Sequence, residues 1–477
     1  MSTDVPEGSP VDDGRSRMVG MRDLTTGSIP RHLVVFSLPM LAGSVLQVAY
    51  SLVNAFWVGK FLGTSALAAV TVSQPVIFVL IAVAAGLTLA TNILIAQSVG
   101  AHRWERVKEA VQTSIILVGG ISLFFLAIGM VLVKQLLSFV NTPPDIFPIA
   151  STYLRIFLWT LPFTFGIFLL GSMLRGIGDS QTPVYFQTVS VVLNAILDPL
   201  LMFGKLGLPA LGLNGTAWAT IISQVIAVVA LVIYVARARP LVSPDWGHLR
   251  IDGATAGALL TLGLPTMVQQ SVVSVSLLGI TRLVSSFGTV ADAAFGAAIR
   301  IDNVAFLPAL TIGMAVSTIA GQNVGAGAFQ RVRATFWWGL LLSGGISLVI
   351  ALLAITIPDF FLRAFLSDPT VIAIGAEYLR IVGFTYLLYA VLFTSNGVIN
   401  GAGHTFSTTL ISVISLWGIR LPLAYLLAHE LHHETGIWYA MLLSVACGMV
   451  LSLIYYFSGV WRQSFTCLTK WVRGKAC

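Results

Sequence analysis

Charge is scarce in this chain. Asp, Glu, Lys and Arg make up 9% of its 477 residues, against roughly a quarter of a soluble domain. So few charges cannot clothe a water-facing surface, and a soluble enzyme is excluded. Cysteine is nearly absent as well. Cys447, Cys467 and Cys477 fit neither a disulfide framework nor a metal-ligand spacing, so no metal site and no cofactor are expected. No glycine-rich loop runs into Gly-Lys-Ser or Gly-Lys-Thr, so there is no nucleotide-phosphate cradle. Energy for any transport must then come from an ion gradient or from the cargo's own gradient. The opening 32 residues are polar, first acidic and then basic (Arg15, Arg17, Arg22, Arg31). They lack the short apolar segment and small-residue cleavage site of a signal peptide, so nothing need be removed.

What the chain has in abundance is apolar sequence, 57% by composition. Runs of spanning length recur at 33–58, 66–97, 107–133, 147–173, 183–204, 211–236, 255–281, 291–320, 332–358, 371–397, 405–428 and 435–459. Each exceeds the roughly 20 residues that cross a bilayer as a helix. The expected fold is all-α: a polytopic membrane protein of twelve transmembrane helices, with a bend at Pro75 in the second run. The net charge of +7 would suggest nucleic acid in a soluble protein. Here the basic residues crowd into alternate loops. One side carries Arg103, Arg106, Lys108, Arg175, Arg237, Arg239, Arg250, Arg331, Arg333 and both tails, including Arg462, Lys470, Arg473 and Lys475. The other carries only Lys60, Lys134, Lys205, Arg282 and Arg363. The positive-inside rule places both termini in the cytoplasm of a bacterial-type plasma membrane, with no nucleic-acid partner.

The chain also repeats itself. Gln97 and Gln322, Gly100 and Gly325, and Arg106 and Arg331 are each 225 residues apart. Tyr153-Leu154-Arg155-Ile156 recurs at the same offset as Tyr378-Leu379-Arg380-Ile381, and Gly176 and Gly178 recur as Gly401 and Gly403. A constant offset implies a duplicated six-span unit and two pseudo-symmetric lobes, with a site between or within them near mid-membrane. The expected division is a tail at 1–32, an amino lobe at 33–236, a linker at 237–254, a carboxyl lobe at 255–459 and a tail at 460–477.

One residue stands out in the fifth run. Asp198 lies within VYFQTVSVVLNAILDPLLMFG. An acid at membrane depth costs a few kcal/mol and normally marks an ion or proton path. Asn194, four residues earlier, shares its helix face. Pro199 removes a backbone donor and frees a carbonyl one turn back. An acid, an amide and a loosened backbone together make a cation or proton site.

The ordered motifs carry a family resemblance. SLP precedes the first span and VGKFLG follows it; AQSVGA, MLRGIGDSQTP, LNAILDPLL and GTAWAT come next, then GLP, RIDNVAFLPAL, GQNVGAG and INGAG. Over residues 30 to 460 the chain resembles the bacterial branch of the multidrug and toxic compound extrusion (MATE) family, within a wider exporter superfamily. The resemblance implies two six-helix lobes in a V and cation-coupled antiport of amphipathic, often cationic drug-like compounds. It makes Asp198 and Asn194 the amino-lobe acid and amide and Thr220 the hydroxyl of the sixth span. The family's first-span acid is replaced here by Asn54, which leaves Asp198 as the sole amino-lobe switch. Tyr50, one turn before Asn54, Gln47, and the eighth-span pair Arg300 and Asp302 are candidates to line the substrate cavity. Where another branch has carboxyl-lobe acids, this chain has Val273 and Tyr389, so that sodium site is absent.

With one acid the proton is the simpler coupling ion; sodium held by Asp198, Asn194, Asn54 and Thr220 is the alternative. A lipid-linked precursor flippase is a second reading, supported by Arg155, Arg300, Arg380 and Arg420. A third is an intramembrane zinc protease, because 429–433 read HELHH and formally fit H-E-x-x-H. That motif needs both histidines on one supported helix, and it falls in a short external turn. The expected protein is a monomer in lipid whose partners are small molecules, with no catalytic residue.

Overall fold

The computed structural model describes residues 22–463, except 141, 205–206, 208, 245–246, 248–249 and the side chains of 52, 55 and 56. Arg15, Arg17, Lys205, Lys470, Arg473, Lys475, Cys467 and Cys477 therefore lie outside the described residues. The described elements are helical, with no strand among them. That follows from the solvent: within hydrocarbon every backbone polar group must be satisfied inside its own helix.

The first half contains α1 (Ile29–Phe61), α2 (Gly63–Gly100), α3 (Trp104–Phe139), α4 (Phe147–Leu158), α5 (Leu161–Gly176), α6 (Gln181–Phe203) and α7 (Leu213–Ala238). The second contains α8 (Gly253–Ser285), α9 (Thr289–Ala305), α10 (Leu307–Gly325), α11 (Phe329–Thr356), α12 (Pro358–Leu362), α13 (Pro369–Val382), α14 (Phe384–Gly401), α15 (Thr405–Val413), a π-helical segment (Ile414–Arg420), α16 (Leu421–Leu431) and α17 (Thr435–Ser458). Joined end to end, α4–α5 and α13–α14 are single spans bent by 43° and 41°, so the total is twelve. The two bends fall at matching points of the repeat. Proline opens the second segment of the first pair, at Pro162, and Gly383 separates the segments of the other. The second span, α2, is one continuous helix with Pro75 inside it.

The halves meet along α2 and α10, where the repeat becomes a physical exchange. Gln97 Nε2 donates to the Gly401 carbonyl at 2.8 Å, and Gln322 Nε2 donates to the Gly176 carbonyl at 2.9 Å. Each residue of one bond is the repeat-mate of a residue in the other. The backbones approach closely enough that a Cβ on Gly100 would sit 1.8 Å from the Gln322 carbonyl oxygen. A Cβ on Gly325 would sit 2.0 Å from the Gln97 carbonyl oxygen. Such contact is the usual use of small residues between membrane helices. Thr318 Oγ1 adds a bond to Asn92 Oδ1 at 3.0 Å.

The segment before α1 is pinned across the same end. Leu24 N–H donates to Gln322 Oε1 at 3.1 Å, and Arg331 donates to the carbonyls of Leu24, Thr26 and Gly27. Arg22 N–H reaches the Ile177 carbonyl in the first half. The side-chain hydrogen bonds that join the halves thus gather at one end of the molecule, beside the Arg103 and Arg331 loops.

The connection between halves is anchored at both ends. Arg239 pairs with Asp179 at 2.7 Å. Asp252 caps α8, accepting from the Thr255 hydroxyl at 2.6 Å and the Thr255 N–H at 2.8 Å. The Thr255 hydroxyl bond, with the Arg106 charge as a lesser aid, holds the Asp252 carboxyl below its ordinary range. Its stabilisation is therefore present above the unfolded carboxyl range and lost as pH falls through the lowered folded value. Asp252→Ala is expected to cost about 1 kcal/mol, the usual worth of an N-cap. Thermal unfolding in detergent should show that loss at neutral pH and a smaller one in acid.

Candidate functional site

Asp198 lies about three-quarters of the way along α6 and is 1% exposed; Asn194, one turn back, is 4% exposed. The helix passes through Pro199 and ends at Gly204 in a left-handed cap (φ 68). The chain then returns so tightly that a Cβ on Gly215 would meet the Leu201 carbonyl at 2.7 Å. This hairpin sets α7 against α6 and brings Thr220 to Asn194. From the facing α1, Tyr50 completes the group. Its hydroxyl lies 2.6 Å from Asn194 Oδ1 and 3.1 Å from Asp198 Oδ2.

The Asn194 amide is oriented by its neighbours. Its NH2 group donates to the two Asp198 oxygens at 2.9 and 3.2 Å, and its oxygen accepts from Thr220 Oγ1 at 3.0 Å. The buried carboxylate is thus met by hydrogen-bond donors, which matters because an unmatched buried polar group costs about 1–3 kcal/mol.

The other candidates divide. Asn54 lies one turn beyond Tyr50, and its Oδ1 is buried with no hydrogen-bond partner; the structure shows no bond between it and Asp198. Gln47 is exposed and meets Gln187 at 3.3 Å. Arg300 is exposed, whereas Asp302 is engaged within the second half by the hydroxyls of Tyr378 and Tyr386. Of the four arginines that supported a flippase, Arg420 is buried and bonded to Ser444 Oγ at 2.9 Å, while Arg155, Arg300 and Arg380 are exposed. The HELHH residues are partly helical rather than wholly in a turn. His429 and Glu430 close α16, which ends at Leu431, and His432 is left-handed (φ 48). The helix stops between the two histidines that the protease motif needs on one face.

One neighbour was not read as a site residue. Tyr153 of α4 is 5% exposed, and the Asp198 charge bears on its hydroxyl. The sequence did mark it, as part of the repeated Tyr-Leu-Arg-Ile motif, but a repeat marker does not say what it touches.

Twelve helical spans in two repeated halves, with a carboxylate buried inside a span, define a multi-pass membrane transporter. The MatE family model matches residues 39–200 and again 265–426, once in each half. The chain belongs to this family, the MATE transporters, and is therefore a transporter and not an enzyme. It is 32% identical over 441 residues to a probable multidrug resistance protein, YoeA, of Bacillus subtilis, covering 91% of this chain and 95% of that protein. A FAD transporter of Shewanella oneidensis is 26% identical over 414 residues, covering 84% and 89%. Among solved structures, a point mutant of the Vibrio cholerae MATE transporter VcmN superposes with a TM-score of 0.86. The two are 26% identical, over 94% of this chain and 100% of that one. The two-lobe fold is shared.

Proposed function

We propose that the chain is a proton-coupled exporter of amphipathic, mostly cationic compounds, and that Asp198 is its switch. The observation that carries this reading is a carboxylate buried inside a membrane span, Asp198, held by the Asn194 amide of its own helix and the Tyr50 hydroxyl of the facing α1. Ionised Asp198 attracts a cationic cargo. A unit charge pair at about 4 Å is worth roughly 4 kcal/mol at an effective dielectric of 20, or about a thousandfold in affinity. Protonation cancels that attraction and releases the cargo. Affinity of the purified protein for tetraphenylphosphonium should therefore rise with pH and fall in acid, with sodium making no difference at fixed pH. Binding that ignores pH but follows sodium would favour Asp198, Asn194, Asn54 and Thr220 as a sodium site.

The orientation we infer has both termini, the 237–254 linker and the glutamine seam on the cytoplasmic side of a bacterial plasma membrane. The lobes are then residues 33–236 and 255–459, and the structure corresponds to a state closed on the inside. Cysteine labels placed near Arg103, Arg239 and Arg331 should react from the cytoplasm, and a label near His432 from outside. The reverse pattern would invert the transporter. We take the exporter to be a monomer with no cofactor. A phosphate-bearing cargo is the second reading, supported by the Shewanella relative; FAD should then displace tetraphenylphosphonium, which the cationic reading does not expect.

A further inference from the structure

The acid that this reading leaves unused is the half-buried Asp302. It lies in the last turn of α9, which ends at Ala305, and its two oxygens go to different helices. The Tyr378 hydroxyl donates to Oδ2 and the Tyr386 hydroxyl donates to Oδ1. Tyr378 belongs to α13 and Tyr386 to α14, on either side of the 41° bend. Both tyrosines are fully buried. One carboxylate therefore ties the two segments of the tenth span to the broken end of the eighth.

Tyr378 is the repeat-mate of Tyr153, 225 residues earlier, and both are buried. Each half also carries an acid within a span. The first half supplies the acid from the fifth span, the second from the eighth. At the place corresponding to Asp198-Pro199 the second half has Leu421-Pro422, preceded by Arg420 at the end of the π-helical segment. Arg420 is 8% exposed, donates through Nε to Ser444, and leaves one terminal nitrogen without a partner.

Other charged residues stand on helices packed against α9: Arg282 on α8, Arg331 and Arg333 on α11, Asp359 on α12, and Glu377 and Arg380 on α13. None of these bonds to Asp302 among the described residues. The groups that bond it are two hydroxyl donors, one on each oxygen. Both hydroxyl hydrogens already point at the carboxylate, so the fitting ligand is a proton.

We propose that Asp302 is a second proton-exchange site of this transporter, and that its proton sets the bend of the tenth span. A carboxylate offers an acceptor oxygen to each tyrosine. Once a proton from water binds, one oxygen becomes a hydroxyl donor and can no longer serve as a full acceptor. One tyrosine bond weakens, and one segment of the span loosens from α9. Return of the proton to water restores the clamp. This rests on the proton-coupled reading above, with Asp198 as the first exchanging acid.

The test is the pH-difference infrared spectrum of the purified protein, together with proton release on saturation with tetraphenylphosphonium in weak buffer. The native spectrum should contain two carboxyl bands from buried acids. Asp302→Asn should remove one and Asp198→Asn the other, and Asp302→Asn should release one proton fewer per cation bound. A purely structural Asp302 would leave band count and proton release unchanged, and that outcome overturns the proposal. Should Asp302→Asn fail to fold, Tyr386→Phe keeps the acid and should shift its band. A native spectrum with a single titrating carboxyl would refute the second site without any variant. Loss of the Asp302 band alongside unchanged coupling in Asp198→Asn would instead refute the Asp198 reading and leave this one standing.

Discussion

Asp198→Asn is expected to reach the membrane in normal amount, fold, and export nothing above the level of protein-free liposomes when a proton gradient is imposed. The side chain keeps its size, and its amide can still bond Asn194 and Tyr50. What it loses is the ability to change charge. Affinity for tetraphenylphosphonium at high pH should drop by up to about three decades, the loss of one charge contact at an effective dielectric near 20. It should also stop varying with pH. Radiolabelled cation binding in detergent and counterflow in liposomes give the two readouts. Gradient-driven export that survives with its pH dependence intact would move the switch to Asp302.

The second large effect is expected at the seam. Gly100→Ala and Gly325→Ala each add a methyl group where the opposing backbone oxygen already stands 1.8 or 2.0 Å from the Cβ position. Backbone cannot step aside as a side chain can, so the halves must part at this end. Overpacking a well-packed interior costs roughly 1–3 kcal/mol, and an oxygen on a rigid helix lies at the upper end. Losing the closed state by that amount shifts the balance between closed and open forms by about one to two decades. Cysteine labels lining the inner ends of α2 and α10 should react much faster in either variant than in the native protein. An equal and unchanged labelling rate would mean that the inner end is not held shut by this contact.

Some of this was legible in the residues and some was not, for definable reasons. Twelve apolar runs gave twelve spans because lipid enforces helix wherever a run is long enough. Asp198 and Asn194 could be paired on paper because four residues make one helical turn. Their bonds to Tyr50 span 144 and 148 residues; only the family resemblance suggested that α1 would supply a partner. The helix is continuous through Pro75, and the breaks in the fourth and tenth spans were not read from the sequence. Gln97 and Gln322 were visible as markers of duplication. Their exchange across the pseudo-two-fold axis was not, since a repeat fixes which residues correspond and not which ones touch. Asp302 likewise looked like half of a misaligned pair with Arg300. Its partners are tyrosines 76 and 84 residues away, brought to it only by packing of the bent tenth span.

The decisive measurement is cation-driven ion flux in liposomes containing the native protein alone. An outward-directed gradient of tetraphenylphosphonium, with a pH dye and a sodium dye inside, should drive protons in the opposite direction with no sodium movement. The proton flux should scale with cation flux across a range of gradients. Sodium flux without proton flux, or cation movement that carries neither, would contradict proton-coupled export through Asp198.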